Sequence, residues 1–421
     1  MTTRLILATL ITTASLQAAD WPQYRGPQGD GSTTEKVAAW PAAGPKVLWK
    51  VESPNGFSSF AVGGGKAFTV EGRELEGVKQ EVLVARDAAT GKELWTAPIG
   101  VANYGHDGGN SGTATNKGGD GPRSTPTLAG KNVVTLSATL ALQAFDAATG
   151  KEQWKIDLIK AHAGRNITWQ NAASPLLEGG LLYVAGGGAG ESLLVVDPAT
   201  GKVVTKAFDE KITHSTPTAA TILGKRQVIF FLQSGLLAVE PKTLKELWRY
   251  NFPFKVSTAI SPVVSGDIVY CSAGYGVGGG AVKLTSAAGK FEAKEIYRIP
   301  GDKQIANHWS TPVAVKGDLY GMFQFKAYGA GPVKAVDAAT GNVKWEREGF
   351  GPGNVVLAGD KIVALSDAGE LVLFEPKPDA YKEVARAKIL DGKCWTTPVV
   401  ADGKIFARST KEAVCLDASG K

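Results

Sequence analysis

Asp87-Ala-Ala-Thr-Gly-Lys92 returns down the chain as Asp146-Ala-Ala-Thr-Gly-Lys151, Asp197-Pro-Ala-Thr-Gly-Lys202 and Asp337-Ala-Ala-Thr-Gly-Asn342. In three of these a tryptophan stands eight residues after the aspartate, at Trp95, Trp154 and Trp345. Degenerate copies sit at Glu240 (with Trp248), Thr285, Glu375 and Asp417, which makes eight copies separated by 38 to 59 residues. A period of this size built from short strands predicts a β-propeller whose unit is one four-stranded blade. The Asp-x-x-Thr-Gly phrase reads as the hairpin between third and fourth strands. Glycine there supplies a positive φ, while Asp and Thr bond the turn backbone. The tryptophan falls on the outer strand, where packing against a neighbouring blade accounts for it.

Each unit opens with a strand of small residues, often with proline: Ser124-Thr125-Pro126, Ser174-Pro175, Ser215-Thr216-Pro217, Ser261-Pro262, Ser310-Thr311-Pro312 and Thr396-Thr397-Pro398. Ser58-Ser59 and Gly353-Asn354 are versions without proline. Small residues suit strands crowded around a central channel. The last copy, Asp417-Ala-Ser-Gly-Lys421, ends before a fourth strand, and an orphan strand Lys46–Val51 carrying Trp49 precedes the first copy. Pairing it with Glu412–Asp417 completes the eighth blade from both chain ends and removes an open sheet edge. The fold expected is therefore all-β: an eight-bladed β-propeller of four-stranded antiparallel blades over residues 46–421, closed by its terminal strands.

Arg4, the apolar run Leu5–Leu16 and the small residues Ala18-Ala19 read as a secretory signal peptide over 1–19, with no cysteine beside the cleavage site. A periplasmic or secreted protein without a transmembrane segment is expected. Residues 20–45, rich in Pro, Gly and aromatics, read as a strap packed across the propeller. The formal charge of +6 is dispersed, with no run of three Lys or Arg, which speaks against nucleic-acid binding. Cys271, Cys394 and Cys415 are not expected to form a disulfide, because Cys394 and Cys415 fall on strands two ladder spacings apart. A monomer is expected.

The Ala/Val-x-Asp-x-x-Thr-Gly-Lys-x-x-Trp cassette resembles the pyrroloquinoline quinone (PQQ) propeller repeat. With Trp21-Pro-Gln-Tyr-Arg-Gly-Pro27 and Asn307-His308-Trp309-Ser310-Thr311-Pro312, the chain resembles secreted bacterial PQQ-binding-like β-propeller repeat proteins. That resemblance implies either of two roles. Quinoprotein dehydrogenases hold PQQ and a metal on the propeller axis; the propeller of the outer-membrane β-barrel assembly machinery uses the same blades as a scaffold without cofactor. The chain lacks the adjacent cysteine pair of the first group and the lipid-anchor cysteine of the second. The fold carries over, and the activity must be argued from a site.

Two Gly-rich stretches, Gly186–Gly190 and Gly274–Gly280, lead into strands and not helices, which speaks against a dinucleotide site. The segment 105–121, with Asp107, Asn110 and Asp120, is too dilute for a calcium loop. No His-Glu-x-x-His or Gly-x-Ser-x-Gly motif occurs. Connections between blades (96–123, 155–172, 249–257, 294–309, 385–395) and several links between second and third strands (71–81, 273–280, 325–332) are long. By the alternation of a meander they emerge on one face, leaving the other plain, and such loops are where binding usually sits. Aligning the units rings the channel mouth on that face with Phe57, Arg123, Asn171, His214, Thr258, His308 with Trp309, Asn354, and Cys394 with Trp395. The candidate ligand-binding set is Arg123, Asn171, His214, His308, Trp309, Asn354 and Trp395. No catalytic or metal-ligating residue is assigned. The reading is a non-catalytic binding or scaffolding module for a small molecule or protein, with a PQQ- and Ca²⁺-dependent oxidoreductase as the alternative.

Overall fold

The computed structural model describes residues 20–102, 104, 121–325 and 327–420. The signal peptide and the 105–120 segment expected from sequence lie outside these residues. Eight antiparallel blades follow one another along the chain, seven of four strands in chain order and the eighth of three, completed by a strand from the N-terminal side. Blade one runs Ala61–Gly63, Lys66–Leu75, Val78–Asp87, Glu93–Val101; blade two begins at Thr127–Ala129 and blade three at Leu176–Glu178. Blades four to eight begin at Thr218–Ile222, Val263–Ser265, Val313–Val315, Asn354–Ala358 and Val399–Ala401. Val47–Glu52 pairs antiparallel with Glu412–Asp417, with Trp49 opposite Cys415, so the chain ends close the ring as expected.

The repeated phrase earns its recurrence twice over. The Oδ1 of Asp87 accepts from the backbone N–H of Ala89 and Thr90 at 3.1 and 2.8 Å and from the Thr90 hydroxyl at 2.9 Å. Asp146 and Asp337 repeat the pattern. The glycine also receives the tryptophan of the preceding blade. A methyl group on Gly91, Gly150 or Gly201 would lie 2.7, 2.6 and 2.7 Å from Trp49, Trp95 and Trp154, and all three glycines have φ between 72° and 75°. The Trp49 indole N–H donates to Ala88 O at 3.1 Å and that of Trp154 to Pro198 O at 3.0 Å. The turns at Asp87, Asp146 and Asp197 are thus sockets for a neighbour's tryptophan, the orphan Trp49 filling that of blade one, while Gly341 of the Asp337 turn meets Tyr297 and Ile299 of blade five instead.

Blade five departs from this scheme. Thr285 has no carboxylate to cap a turn, and the ladder runs on through Ser286↔Phe291 to a two-residue turn at Ala288-Gly289, giving ten-residue strands Gly278–Ala287 and Lys290–Ile299. Blade one does the same at its other end. Residues 71–81, expected as a loop, are a hairpin turning at Glu76-Gly77.

The Ser/Thr-Pro openings explain themselves by hydrogen bonding as well as by size. Ser59 N donates to Thr125 Oγ1 (3.0 Å), Thr125 N to Ser174 Oγ (2.8 Å), Ser174 N to Thr216 Oγ1 (2.9 Å) and Ser261 N to Thr311 Oγ1 (3.2 Å). Hydroxyls of one blade replace the ladder partner that the inner segment of the preceding blade lacks. Proline in the same segment removes an N–H that would otherwise need one.

Residues 20–45 cross the end of the propeller that carries the first-to-second strand turns. Trp21 pairs with Val62 of blade one, Pro22 O accepts from Leu128 of blade two, and Gln23 Oε1 accepts from Leu177 N of blade three at 2.8 Å. Arg25, fully buried, donates to Thr311 O at 2.9 Å and Pro312 O at 2.8 Å in blade six. Ser32–Thr33 adds a short parallel strand to blade seven, and the Glu35 carboxylate accepts from Asp402 N and Gly403 N of blade eight at 2.9 and 3.0 Å. The core is made of apolar clusters between adjacent blades, such as Trp49, Phe60 and Phe406 beside Cys415. Cys271, Cys394 and Cys415 are buried and unbridged. The described residues contain no helix long and apolar enough to cross a membrane.

Candidate functional site

The predicted ring residues do gather at the long-loop end, and they tie each blade connection to the next. Phe57 N and Ser58 N donate to Pro122 O at 2.7 and 3.0 Å. The Arg123 guanidinium bonds Trp169 O and lies 5.0 Å over the Tyr104 ring. His214 Nε2 donates to Thr168 O at 3.1 Å while Nδ1 accepts from the Ser257 hydroxyl at 2.7 Å. His214 N donates to Thr258 O at 2.9 Å and Ala259 N to His308 O at 2.6 Å. The Trp309 indole N–H donates to Pro352 O at 2.8 Å, and Asn354 Nδ2 to Trp395 O at 2.8 Å. Trp395 stacks on Phe57 at 4.9 Å and 29°, which returns the circle to its start. All eight joints are stitched in this way. Asn171 turns into the joint itself: its Nδ2 donates to Ala173 O at 3.0 Å and its Oδ1 accepts from Ala173 N at 3.0 Å.

The two sides of the mouth differ in chemistry. Towards blades one to four the lining is polar and titratable. Glu81 is buried at the start of the third strand of blade one; its Oε1 accepts from the Tyr104 hydroxyl at 3.1 Å and its Oε2 from Ala138 N at 2.9 Å. Burial pushes its carboxyl up to about 7, against the pull of those bonds and of Arg123. Burial, helped by the Arg123 charge, depresses His214 to about 3, so its ring stays neutral and keeps the tautomer its two bonds require. Trp169 and Gln170 beside them hold φ of 66° and 65°, left-handed conformations that non-glycine residues adopt at a cost of about 1 kcal/mol or more.

Towards blades five to eight the lining is aromatic and half-buried. His308 lies 4.9 Å from both Trp309 and Phe325 and 5.5 Å from Tyr275. Trp309 and Trp395 are 4.7 Å apart, Tyr328 stacks on Trp395 at 5.5 Å and 18°, and the Lys393 ammonium sits 4.5 Å from the Trp395 ring centre. Asp367, from the link between second and third strands of blade seven, is buried; its Oδ2 accepts from Gly329 N at 2.8 Å, and burial raises its carboxyl above the ordinary range. Alignment of repeat units singled out Trp309 and Trp395 but missed Glu81, Tyr104, Trp169, Tyr275, Phe325, Tyr328 and Asp367. These come from the long connections 71–81, 96–123, 155–172, 273–280 and 325–332, or in the case of Asp367 from a short link, where no repeated landmark sets the register.

PQQ with Ca²⁺ was tested against these residues. A planar tricarboxylate with a metal needs an aromatic floor, cationic or N–H partners and a carboxylate-rich ligand set. The floor exists, but Trp395 already carries Phe57, Tyr328 and Lys393, and Arg123 is engaged by Trp169 and Tyr104. Both oxygens of Glu81 are spent, and no group of three or more His, Cys, Asp or Glu among the described residues is placed to hold a metal ion. The described residues do not fit the group. The Gly-rich stretches are packing requirements: a methyl on Gly278 would lie 2.0 Å from Ile299 O, one on Gly187 1.9 Å from Glu191 O, and one on Gly280 3.0 Å from the Tyr250 hydroxyl.

Comparison with known proteins places this geometry. Among solved structures, the chain is similar to quinohemoprotein alcohol dehydrogenase from Comamonas testosteroni (TM-score 0.67, 14 % identity, 96 % of this chain and 81 % of that one). It is similar to BamB from Moraxella catarrhalis (TM-score 0.60, 13 % identity, 89 % and 100 %) and to the computationally designed Ika8 protein (TM-score 0.57, 12 % identity, 89 % and 100 %). At these identities the likeness is one of fold. No curated protein matches the chain. A family model described as outer membrane protein assembly factor BamB matches residues 33–208, 79–322 and 327–420, which together span nearly the whole propeller. This chain belongs to that family of PQQ-like propellers.

Proposed function

We propose that this protein is an extracytoplasmic propeller without catalysis of its own, which binds a small molecule or a protein partner through the long-loop mouth. The observation that carries the reading is the inequality of the two ends. One end is crossed by residues 20–45, with Arg25 bonded into blade six. The other presents half-buried rings, among them Trp309 and Trp395, on connections longer than any turn at the plain end. Half-exposed aromatics held by a rigid ring give large contact area at small ordering cost, which suits recognition. A scaffolding role agrees with the family, and an oxidoreductase role would need a metal-bearing group of carboxylates, of which there is none among the described residues.

The test compares the two faces. Hits from a thermal-shift screen of small molecules are titrated against Arg123→Ala and His308→Ala at the mouth, and against Lys92→Ala and Lys151→Ala on the plain-end turns. The mouth variants are expected to lose roughly tenfold or more in affinity, the worth of one charge-assisted hydrogen bond, and the plain-end variants to stay within twofold of about parent affinity. Equal effects from the two sets would remove the case for the mouth.

A further inference from the structure

Three polar atoms at the seventh and eighth blades are buried without a hydrogen-bond partner: Trp395 Nε1, Asn354 Oδ1 and Asp367 Oδ1. Their residues are held beside one another through the segment Cys394-Trp395. Asn354 Nδ2 donates to Trp395 O at 2.8 Å, and Asp367 O accepts at 2.9 Å from the N–H of Cys394, the residue before Trp395. An unsatisfied buried donor or acceptor costs about 1–3 kcal/mol, so three on neighbouring residues call for partners. Around them stand the rings of Phe57, Trp309, Tyr328 and Trp395.

The donor and acceptor count selects the chemistry. A carboxylate or phosphate brings only acceptors and would meet Asn354 Oδ1 and Asp367 Oδ1 with repulsion. An ammonium brings only donors and leaves the Trp395 N–H unpaired. A hydroxyl is both donor and acceptor, and a pyranose carries several hydroxyls around an apolar C–H face that packs on an indole or phenol ring. We propose that this quadrant of the mouth is a saccharide-binding subsite, in which a sugar ring packs against the half-exposed Trp309 ring beside the Trp395 stack. Its hydroxyls donate to Asn354 Oδ1 and Asp367 Oδ1 and accept from Trp395 Nε1. The turn Tyr328–Gly331 covers Asp367 through the Gly329 N–H and is exposed at Gly329 and Ala330. A small displacement of this turn admits the sugar, and no chemistry on the sugar is implied. The proposal rests on the mouth being the binding face and names the class of ligand it takes.

The experiment titrates the full-length protein with N-acetylglucosamine, glucose, cellotriose, chitotriose and maltotriose, read by tryptophan fluorescence and by calorimetry. At least one sugar is expected to bind and to shift the emission. Trp395→Phe, which keeps a ring but loses the N–H, and Asp367→Asn, which keeps the bond from Gly329, are each expected to weaken it roughly tenfold. Both variants are first checked for parental melting. Should either be unstable, Trp309→Phe, whose indole N–H bonds a backbone carbonyl outside the proposed contacts, gives the ring term alone. Failure of all five sugars to bind, or binding indifferent to these variants, overturns the proposal. The wider reading is judged separately. Non-saccharide hits that still depend on Arg123 or His308 would leave the mouth standing while the sugar subsite falls. Sugars that bind independently of every mouth variant would bring down both.

Discussion

Glu81 and His214 face the same Arg123 charge across the polar side of the mouth, and burial moves them in opposite directions. Glu81, raised from 4.5 to about 7, keeps in the fold a proton that the unfolded chain has lost, so stability falls as pH rises through that window. His214, lowered from 6.5 to about 3, refuses in the fold a proton that the unfolded chain takes up, so stability falls as pH drops through its own window. Between about 4.5 and about 6.5 the two slopes oppose each other and the parent should be near level. Glu81→Gln removes the first slope. The variant should lose stability on acidification across that interval by on the order of 1.4 kcal/mol per pH unit relative to the parent, measured by urea unfolding at several pH values. A variant whose profile matches the parent's would contradict the assignment. The socket glycines make an independent prediction. Gly150→Ala puts a methyl 2.6 Å from Trp95 at a φ of 75°, and should cost about 2 kcal/mol or more in the same unfolding experiment. Lys151→Ala, one residue on and exposed, should cost less than about 0.5 kcal/mol.

The element on which the fold turns is the strand Val47–Glu52. It supplies the outer strand of blade eight, seats Trp49 on Gly91 of blade one, and adds the Lys50–Glu412 ion pair at 2.8 Å. The same seam holds Arg408, wholly buried, whose guanidinium donates to Val70 O at 2.7 Å and Thr69 Oγ1 at 2.9 Å in blade one. Removing residues 46–52 should open the seam and expose Glu412–Asp417 as an edge, giving aggregation or a large fall in melting temperature. A deletion that melts like the parent would show that closure by both termini is unimportant. This strand was legible in the sequence because the truncated last repeat asked for a partner and Trp49 offered one. The long hairpins of blades one and five were not. Glu76-Gly77 and Ala288-Gly289 are ordinary two-residue turns displaced from the expected points, and a polar ladder projecting beyond the sheet has no apolar alternation to betray it. Residues 20–45 carried composition but no period, so the contacts of Gln23, Arg25 and Glu35 had to be seen in three dimensions.

For the molecule as a whole, alignment of the repeat placed Arg123, His214, His308, Trp309, Asn354 and Trp395 at one mouth because every blade delivers the residue before its first strand to the same level. What alignment does not carry is how those groups divide their bonds. Arg123, His214 and Asn354 act between blades, and Asn171 bonds both its own joint and, through Ser137 O and Ala138 O, blade two, while Glu81, Tyr104, Trp169, Phe325, Tyr328 and Asp367 arrive from connections that share no register. The mouth that results is a stitched ring with a titratable side and an aromatic side, lacking a metal-ligand set among the described residues. The central claim is that such a mouth binds without catalysing oxidation. It is tested by incubating the purified protein with PQQ and Ca²⁺, and in parallel with PQQ and a lanthanide, then recording the quinone absorption after gel filtration together with dye-linked oxidation of alcohols and sugars. The account predicts that no quinone co-elutes with the protein and that oxidation stays at the no-protein rate; a bound quinone spectrum with turnover above that control would contradict it.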